Sequence, residues 1–242
     1  MLMKVVDLKK AHWYCLMLLV VDLLGVQLCY ILVESNCMNE NLIAYLVAYL
    51  IGAVPFGLLF GLLFGGVNIK KSGSKSIGAT NVLRVIRESN PALAKKLAIL
   101  TVVFDALKGV VPILVGRFIF DLDISTLWTM GVLAVVGHCF SPYLMFEGGK
   151  GIATGAGVLA CFLPFELIIA VIVWFIVGKV LKISSLASLI ALLAMVISSF
   201  ILHYDMPGIN THAPVLIIAF IVVYKHMPNI KRLLSGSEGK VI

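Results

Sequence analysis

The stretch IATGAGVLACFLPFELIIAVIVWFIVGKV, residues 152–180, decides how this chain is arranged. Its only charges are Glu166 and Lys179, so it belongs in an apolar surrounding. A single membrane crossing takes about 20 residues, and this stretch is longer than that. Pro164 interrupts it, and a proline ends or kinks a helix because it has no N–H to donate and clashes with the preceding turn. The stretch therefore splits into two short helices, 152–163 and 165–180. The first is only about 18 Å long, against a hydrocarbon core of about 30 Å. A re-entrant hairpin is the competing arrangement.

Outward from this stretch, further apolar runs fall at about 11–33, 41–66, 94–118, 126–146, 184–203 and 213–224. Counted from residue 41 and split at Pro164, the runs predict an all-α integral membrane protein, a seven-span helical bundle. The charges agree with the split. Seven crossings that start outside place the 68–97 loop, the 147–151 loop, the 179–183 loop and the tail from Lys225 on one side. Those segments hold Lys70, Lys71, Lys75, Arg84, Arg87, Lys95, Lys96, Lys150, Lys179, Lys182, Lys225, Lys231, Arg232 and Lys240. The other side keeps Arg117 and collects Glu40, Asp121, Asp123, Glu166 and Asp205. Positive residues stay cytoplasmic, which puts the N-terminus of the core outside and the C-terminus inside.

Composition excludes other classes. Of 242 residues, 19 are Lys or Arg and 12 are Asp or Glu, so 13% are charged while 61% are hydrophobic. Soluble domains run near 25% charged, and no soluble fold of this size hides so much apolar surface. The +7 net charge gathers on one membrane face, so it does not point to nucleic acid. Cys15, Cys29, Cys37, Cys139 and Cys161 are scattered without a C-x-x-C pair and read as apolar fillers. With no metal-ligand spacing and no G-x-G-x-x-G, neither a metal nor a cofactor is expected.

Residues 1–37 form an N-terminal extension ahead of a single transmembrane domain, 38–242. Lys4, Lys9 and Lys10 precede the run at 11–33, which fits an extra inward-to-outward helix; Met38 as the true start fits equally. Gly57, Gly61 and Gly65 share one helix face and allow close packing, inside the bundle or across a dimer.

The chemistry lies in the cytoplasmic segments. Residues 72–84, S-G-S-K-S-I-G-A-T-N-V-L-R, carry glycines at 73 and 78 that let backbone N–H groups converge on an anion. Ser72, Ser74, Ser76, Thr80 and Asn81 add neutral donors, and Arg84 can grip a phosphate bidentately. Residues 148–154, G-G-K-G-I-A-T, leave the backbone beside Lys150 open to a ligand just before a helix N-terminus. This is no nucleotide P-loop, because Gly follows Lys150 where Ser or Thr is needed. Asp105 and Lys108 share a face inside a span, as functional groups or as a structural ion pair. His138 and His226 sit near cytoplasmic helix ends, as bundle residues or as bases. These features call for an anionic, phosphorylated ligand that meets a lipid. A transporter for a phosphorylated metabolite is the competing class, but it needs midplane binding groups and often inverted repeats, and no repeat is visible.

The motifs, taken together, resemble a known family. G-A-V-P-F-G (52–57) with G-S-K-S-I-G-A-T-N-V-L-R (73–84), then D-A-L-K-G (105–109), G-H-C-F-S-P-Y-L-M-F-E-G-G-K-G-I-A-T (137–154), S-L-A-S (185–188) and H-M-P-N-I-K-R-L-L-S-G-S-E (226–238) follow the order seen in bacterial membrane acyl-phosphate:glycerol-3-phosphate acyltransferases. Two departures stand out: Lys75-Ser76 replaces a common Gly-Asn, and residues 1–37 have no counterpart. The other acyltransferase class carries H-x-x-x-x-D, which no histidine here satisfies.

The resemblance implies transfer of a fatty acyl group from acyl phosphate to the first hydroxyl of glycerol 3-phosphate. It implies Ser74, Lys150, His226 and Asn229 as catalytic residues. Gly73, Thr80, Asn81, Arg84, Gly149, Gly151 and Ser185 would bind the substrates' phosphates, with Asp105, Lys108 and His138 in support. It further implies a multi-pass protein of the bacterial inner membrane with its site facing the cytoplasm. Partners would be the two substrates, membrane lipid and the enzyme that makes acyl phosphate.

Overall fold

In the computed structural model, residues 40–206 and 208–240 are described, and every regular element among them is helical. The N-terminal extension expected at 1–37 lies outside the described residues. Helices α1 (Glu40–Ala53) and α2 (Phe56–Leu63) are two halves of the apolar run at 41–66, broken at Pro55. A polar loop then carries the short α3 (Ala79–Arg87). Next come α4 (Pro91–Phe118), α5 (Ile124–Cys139), α6 (Ile152–Phe162), α7 (Pro164–Leu181), α8 (Ser184–Leu202), α9 (Ala213–Lys225) and α10 (Met227–Leu234).

The division of the 152–180 stretch falls at Pro164, the first residue of α7, with Leu163 (φ −135°, ψ 60°) leaving the helical conformation between the two helices. Five stretches are long and apolar enough to span a membrane: Asn41–Leu63, Pro91–Phe118, Ile124–Leu144, Pro164–Leu181 and Ser184–Leu202. Helices α9 and α10, bent by 57° against each other, make a sixth when taken as one broken span. The remaining segment of the expected seven is α6, whose 11 residues are too few to qualify by length. Gly151, with φ 85°, starts it and Pro164 stops its continuation, so its shortness is written into those two residues.

Glycines let the helix backbones touch. A Cβ at Gly137 of α5 would stand 2.1 Å from the Tyr49 carbonyl of α1, and one at Gly157 of α6 would stand 2.1 Å from the Ala106 carbonyl of α4. The Gly57–Gly61–Gly65 face is consumed inside the chain, and its partner is the polar loop and α3. A Cβ at Gly57 would meet the Ile77 carbonyl at 2.0 Å, and one at Gly65 would meet Ile86 Cδ1 at 2.7 Å.

The break at Pro55 frees carbonyls that an unbroken helix would have used, and a buried carbonyl without a partner is costly. Ser141 Oγ donates to the Ala53 carbonyl at 2.7 Å, and Lys108 Nζ donates to the Val54 carbonyl at 2.7 Å. Lys108 also pairs with Asp105 at 2.8 Å, with both side chains buried. The intramembrane ion pair thus pins the bend in the first span.

Candidate active site

Three of the cation-rich segments and the start of α8 meet around one cavity of about 850 Å³. The 73–84 loop, the turn at Lys150, the start of α8 and the α9–α10 corner with the tail after it each contribute to its polar end.

Loop 72–78 is shaped by Asn81, which is buried on the first turn of α3. Its Nδ2 reaches the carbonyls of Ile69, Ser72 and Ser76 at 2.8–3.2 Å, and its Oδ1 accepts from the Ser74 N–H at 2.8 Å. Both ends of the amide are therefore committed to the loop. Asn81 shapes the loop and also lines the cavity. Gly73 (φ 59°) passes so close that a Cβ would stand 2.4 Å from Asn81 Oδ1. Ser74, Thr80 and Arg84 line the cavity, and Thr80 shares a 3.2 Å hydrogen bond with Ser184 at the head of α8.

The GGKG turn folds back onto the end of α5. Gly148 and Gly149 donate to the carbonyls of Cys139 and His138 at 3.1 and 2.9 Å. The His138 ring lies directly beneath Gly149, where a Cβ would come within 2.1 Å of Nε2. His138, 3.7 Å from Asp105, is thus the floor of the turn, and Gly149 supports the site without lining it. Lys108 is likewise set back from the cavity, whereas Asp105 and His138 reach it. Lys150 and Gly151 face the cavity. Burial pushes the Lys150 amine down to about 8; Glu238 opposes that shift, while Arg232 and Arg84 add to it.

The C-terminal part depends on a corner. Pro228 cannot continue α9, so the chain turns at His226 and restarts as α10. His226 is buried at that corner, with Nδ1 2.8 Å from the Val222 carbonyl. A carbonyl only accepts, so Nδ1 carries the proton and Nε2 is left as the acceptor. Asn229, one turn on, donates to Glu238 Oε1 at 2.6 Å, and Ser185 Oγ donates to the same oxygen at 2.6 Å. Arg232 holds Oε2 at 2.5 Å. Burial works to raise the Glu238 carboxyl, but the hydrogen bonds from Ser185, Arg232 and Asn229 outweigh it and hold it below the usual carboxylate range.

Glu238, Arg232 and Ser184 are the site residues that sequence reasoning passed over. Arg232 and Glu238 lie within the quoted 226–238 motif, and that was the available signal. Among the described residues no group of three or more His, Cys, Asp or Glu side chains is placed to hold a metal.

Residues 42–236 match the glycerol-3-phosphate acyltransferase family. The chain belongs to that family. It is 69% identical over 203 residues to the glycerol-3-phosphate acyltransferase of Campylobacter lari, covering 84% of this chain and all of the relative. The same enzyme of Nitratiruptor sp. is 59% identical over 84% of this chain and 97% of its own length. Among solved structures it resembles PlsY (YgiH), an integral membrane glycerol 3-phosphate acyltransferase, in its glycerol 3-phosphate form. That match has a TM-score of 0.73 and 32% identity, over 84% of this chain and 96% of that one. The lysophosphatidic acid form of PlsY matches with a TM-score of 0.70 and 30% identity, over 84% of this chain and 95% of that one.

Proposed function

We propose that this membrane enzyme transfers a fatty acyl group from acyl phosphate to the sn-1 hydroxyl of glycerol 3-phosphate, giving lysophosphatidic acid and inorganic phosphate. The observation that carries this reading is the meeting of Arg84, Lys150, Ser74 and Thr80 with His226 at one end of a cavity whose other end is apolar. Such a cavity suits two phosphates and an acyl chain at once.

Acyl phosphate is already activated, so its reaction needs anion clamps and alignment more than a strong nucleophile. Arg84 and Lys150 hold the phosphates, and Ser74, Thr80 and the turns at Gly73 and Gly151 supply neutral donors. His226 Nε2 accepts the hydrogen of the attacking hydroxyl. The hydroxyl oxygen bonds to the acyl carbon, the bond from that carbon to the phosphate oxygen breaks, and phosphate leaves with the electron pair. Donors aimed at the developing oxyanion are worth about 2.7–4 kcal/mol each in such sites. Asn229 and Ser185, both held by Glu238, set the C-terminal wall against which the glycerol substrate lies.

The finer topology belongs to the same proposal. Seven crossings, with α6 as the short one, put all four site-forming segments on the cytoplasmic face of a bacterial inner membrane. Their convergence on one cavity supports that arrangement. Both substrates then arrive from the cytoplasmic side or the inner leaflet, in functional coupling with the enzyme that makes acyl phosphate.

The test is phosphate release by the purified protein in detergent with acyl phosphate and glycerol 3-phosphate. The reading requires release that depends on the glycerol substrate. Well-folded protein that releases none, yet takes up a phosphorylated metabolite in liposomes, is a transporter.

A further inference from the structure

The cavity changes character along its length, from polar groups at its loop end to apolar side chains deeper in the bundle. On α8 its lining residues run Ser184, Ser185, Ser188, Ala191, Leu192 and Met195, small side chains followed by large ones on a single helix face. On α6 the lining passes, after Ile152 at its start, from Ala153, Gly155 and Ala156 to Leu159. Helices α7 and α9 run the other way; their lining residues farthest from the polar end are Leu167 and Ile218, with Trp174 and Val222 nearer to it. Met195 and Ile218 are almost fully buried, at 2% and 1% exposure, so they are fixed parts of the core. Val102 and Val171 also line the cavity but are 48% and 54% exposed, which leaves one side open toward the lipid.

We infer that Met195 and Leu159 form the floor that sets acyl-chain length, with Ala156 lining the shaft above it. This rests on the acyltransferase reading and adds the residues that select the acyl donor. Ser185 to Met195 is ten residues of helix, a depth of about 15 Å. With carbon–carbon bonds of about 1.5 Å at tetrahedral angles, an extended alkyl chain advances roughly 1.3 Å per carbon. The shaft therefore takes about a dozen carbons in extended form, and a longer chain has to turn at the floor and leave through the lipid-facing side. Such a chain exchanges buried methylenes for bent ones, and each methylene denied burial costs about fourfold in binding.

Two substitutions move the floor in opposite directions. Ala156→Phe fills the shaft above it, and Met195→Ala lowers it. The experiment measures turnover of the purified full chain with decanoyl, myristoyl and stearoyl phosphate, each well below its KM, at saturating glycerol 3-phosphate. In Ala156→Phe the ratio of stearoyl to decanoyl turnover falls at least about tenfold, as expected for two or more displaced methylenes. In Met195→Ala the ratio rises. The KM for glycerol 3-phosphate stays at the wild-type value in both variants, because neither touches the phosphate end. Wild-type ratios in both variants overturn the inference. So does a loss in Ala156→Phe that is as deep for decanoyl as for stearoyl phosphate. If Ala156→Phe does not fold, the ratio in Met195→Ala decides alone. A wild-type protein that releases phosphate from none of the three donors sinks the acyltransferase reading itself.

Discussion

Two pairs of charged residues sit within the same bundle, and they are treated in opposite ways. Asp105 and Lys108 are almost fully buried, bonded to each other, and Lys108 spends its remaining reach on the Val54 carbonyl. Arg84 and Lys150 stand at the cavity wall, and neither forms an ion pair with the described residues. The first pair is complete without a ligand and braces the bend at Pro55. In the proposed function the second complements an anion. A charge inside a membrane protein is thus read from where its partners are, and the two pairs answer differently to mutation.

The largest effect is expected in the brace. Lys108→Met leaves the Asp105 carboxylate buried without its cation, which costs about 3–5 kcal/mol. Thermal or denaturant unfolding in detergent should show that loss. Adding Asp105→Leu should recover most of it, because removing both charges removes the orphan; what remains is the unpaired Val54 carbonyl, about 1–3 kcal/mol. No recovery in the double variant would mean that Asp105 has a role beyond bracing.

The next effect moves Lys150 without touching it. Gly149→Ala drives a Cβ against the buried His138 ring and shifts the turn. A displacement of about 1 Å in a positioned group costs on the order of a hundredfold in turnover. Turnover should fall by that amount while the bundle stays folded.

A smaller effect is a change in pH profile. Lys150 in the free enzyme is cationic below about 8 and neutral above it. The kcat/KM for glycerol 3-phosphate should be level below that pH and fall as pH rises through it, since this ratio reports the free enzyme's groups. The Glu238 charge holds the Lys150 amine up, so Glu238→Gln should move the alkaline limb to lower pH. A limb that stays in place separates Lys150 from phosphate binding.

The smallest effect is a control. A Cβ at Gly155, also on the cavity wall, meets Ile218 at 3.4 Å, an ordinary contact. Gly155→Ala should leave turnover unchanged and raise stability by no more than about 1 kcal/mol, read as the unfolding midpoint in detergent.

The same distinction explains what was legible in the sequence. The helices could be read from apolar length and from Pro164, and the clamp from glycines set beside Arg84 and Lys150. Asp105 and Lys108 could be paired by their spacing, but the Val54 carbonyl lies 54 residues from Lys108 in sequence. Only the packed bundle reveals what the pair braces. Glu238 reads alone as a solvated carboxylate near the C-terminus, and its three donors come from α8 and α10. Asn81 was recognisable as a polar loop residue. That its amide closes the loop depends on a backbone path no spacing rule gives. The Gly57–Gly61–Gly65 face signals close packing, and a polar loop satisfies it as well as a second span does.

The central claim, that Arg84 and Lys150 act while Asp105 and Lys108 brace, is tested most directly by Lys150→Ala. Turnover with acyl phosphate and glycerol 3-phosphate should fall at least about a hundredfold, the scale of losing one transition-state donor. The unfolding midpoint should match that of the wild type. Near-normal turnover in the folded variant would contradict the account.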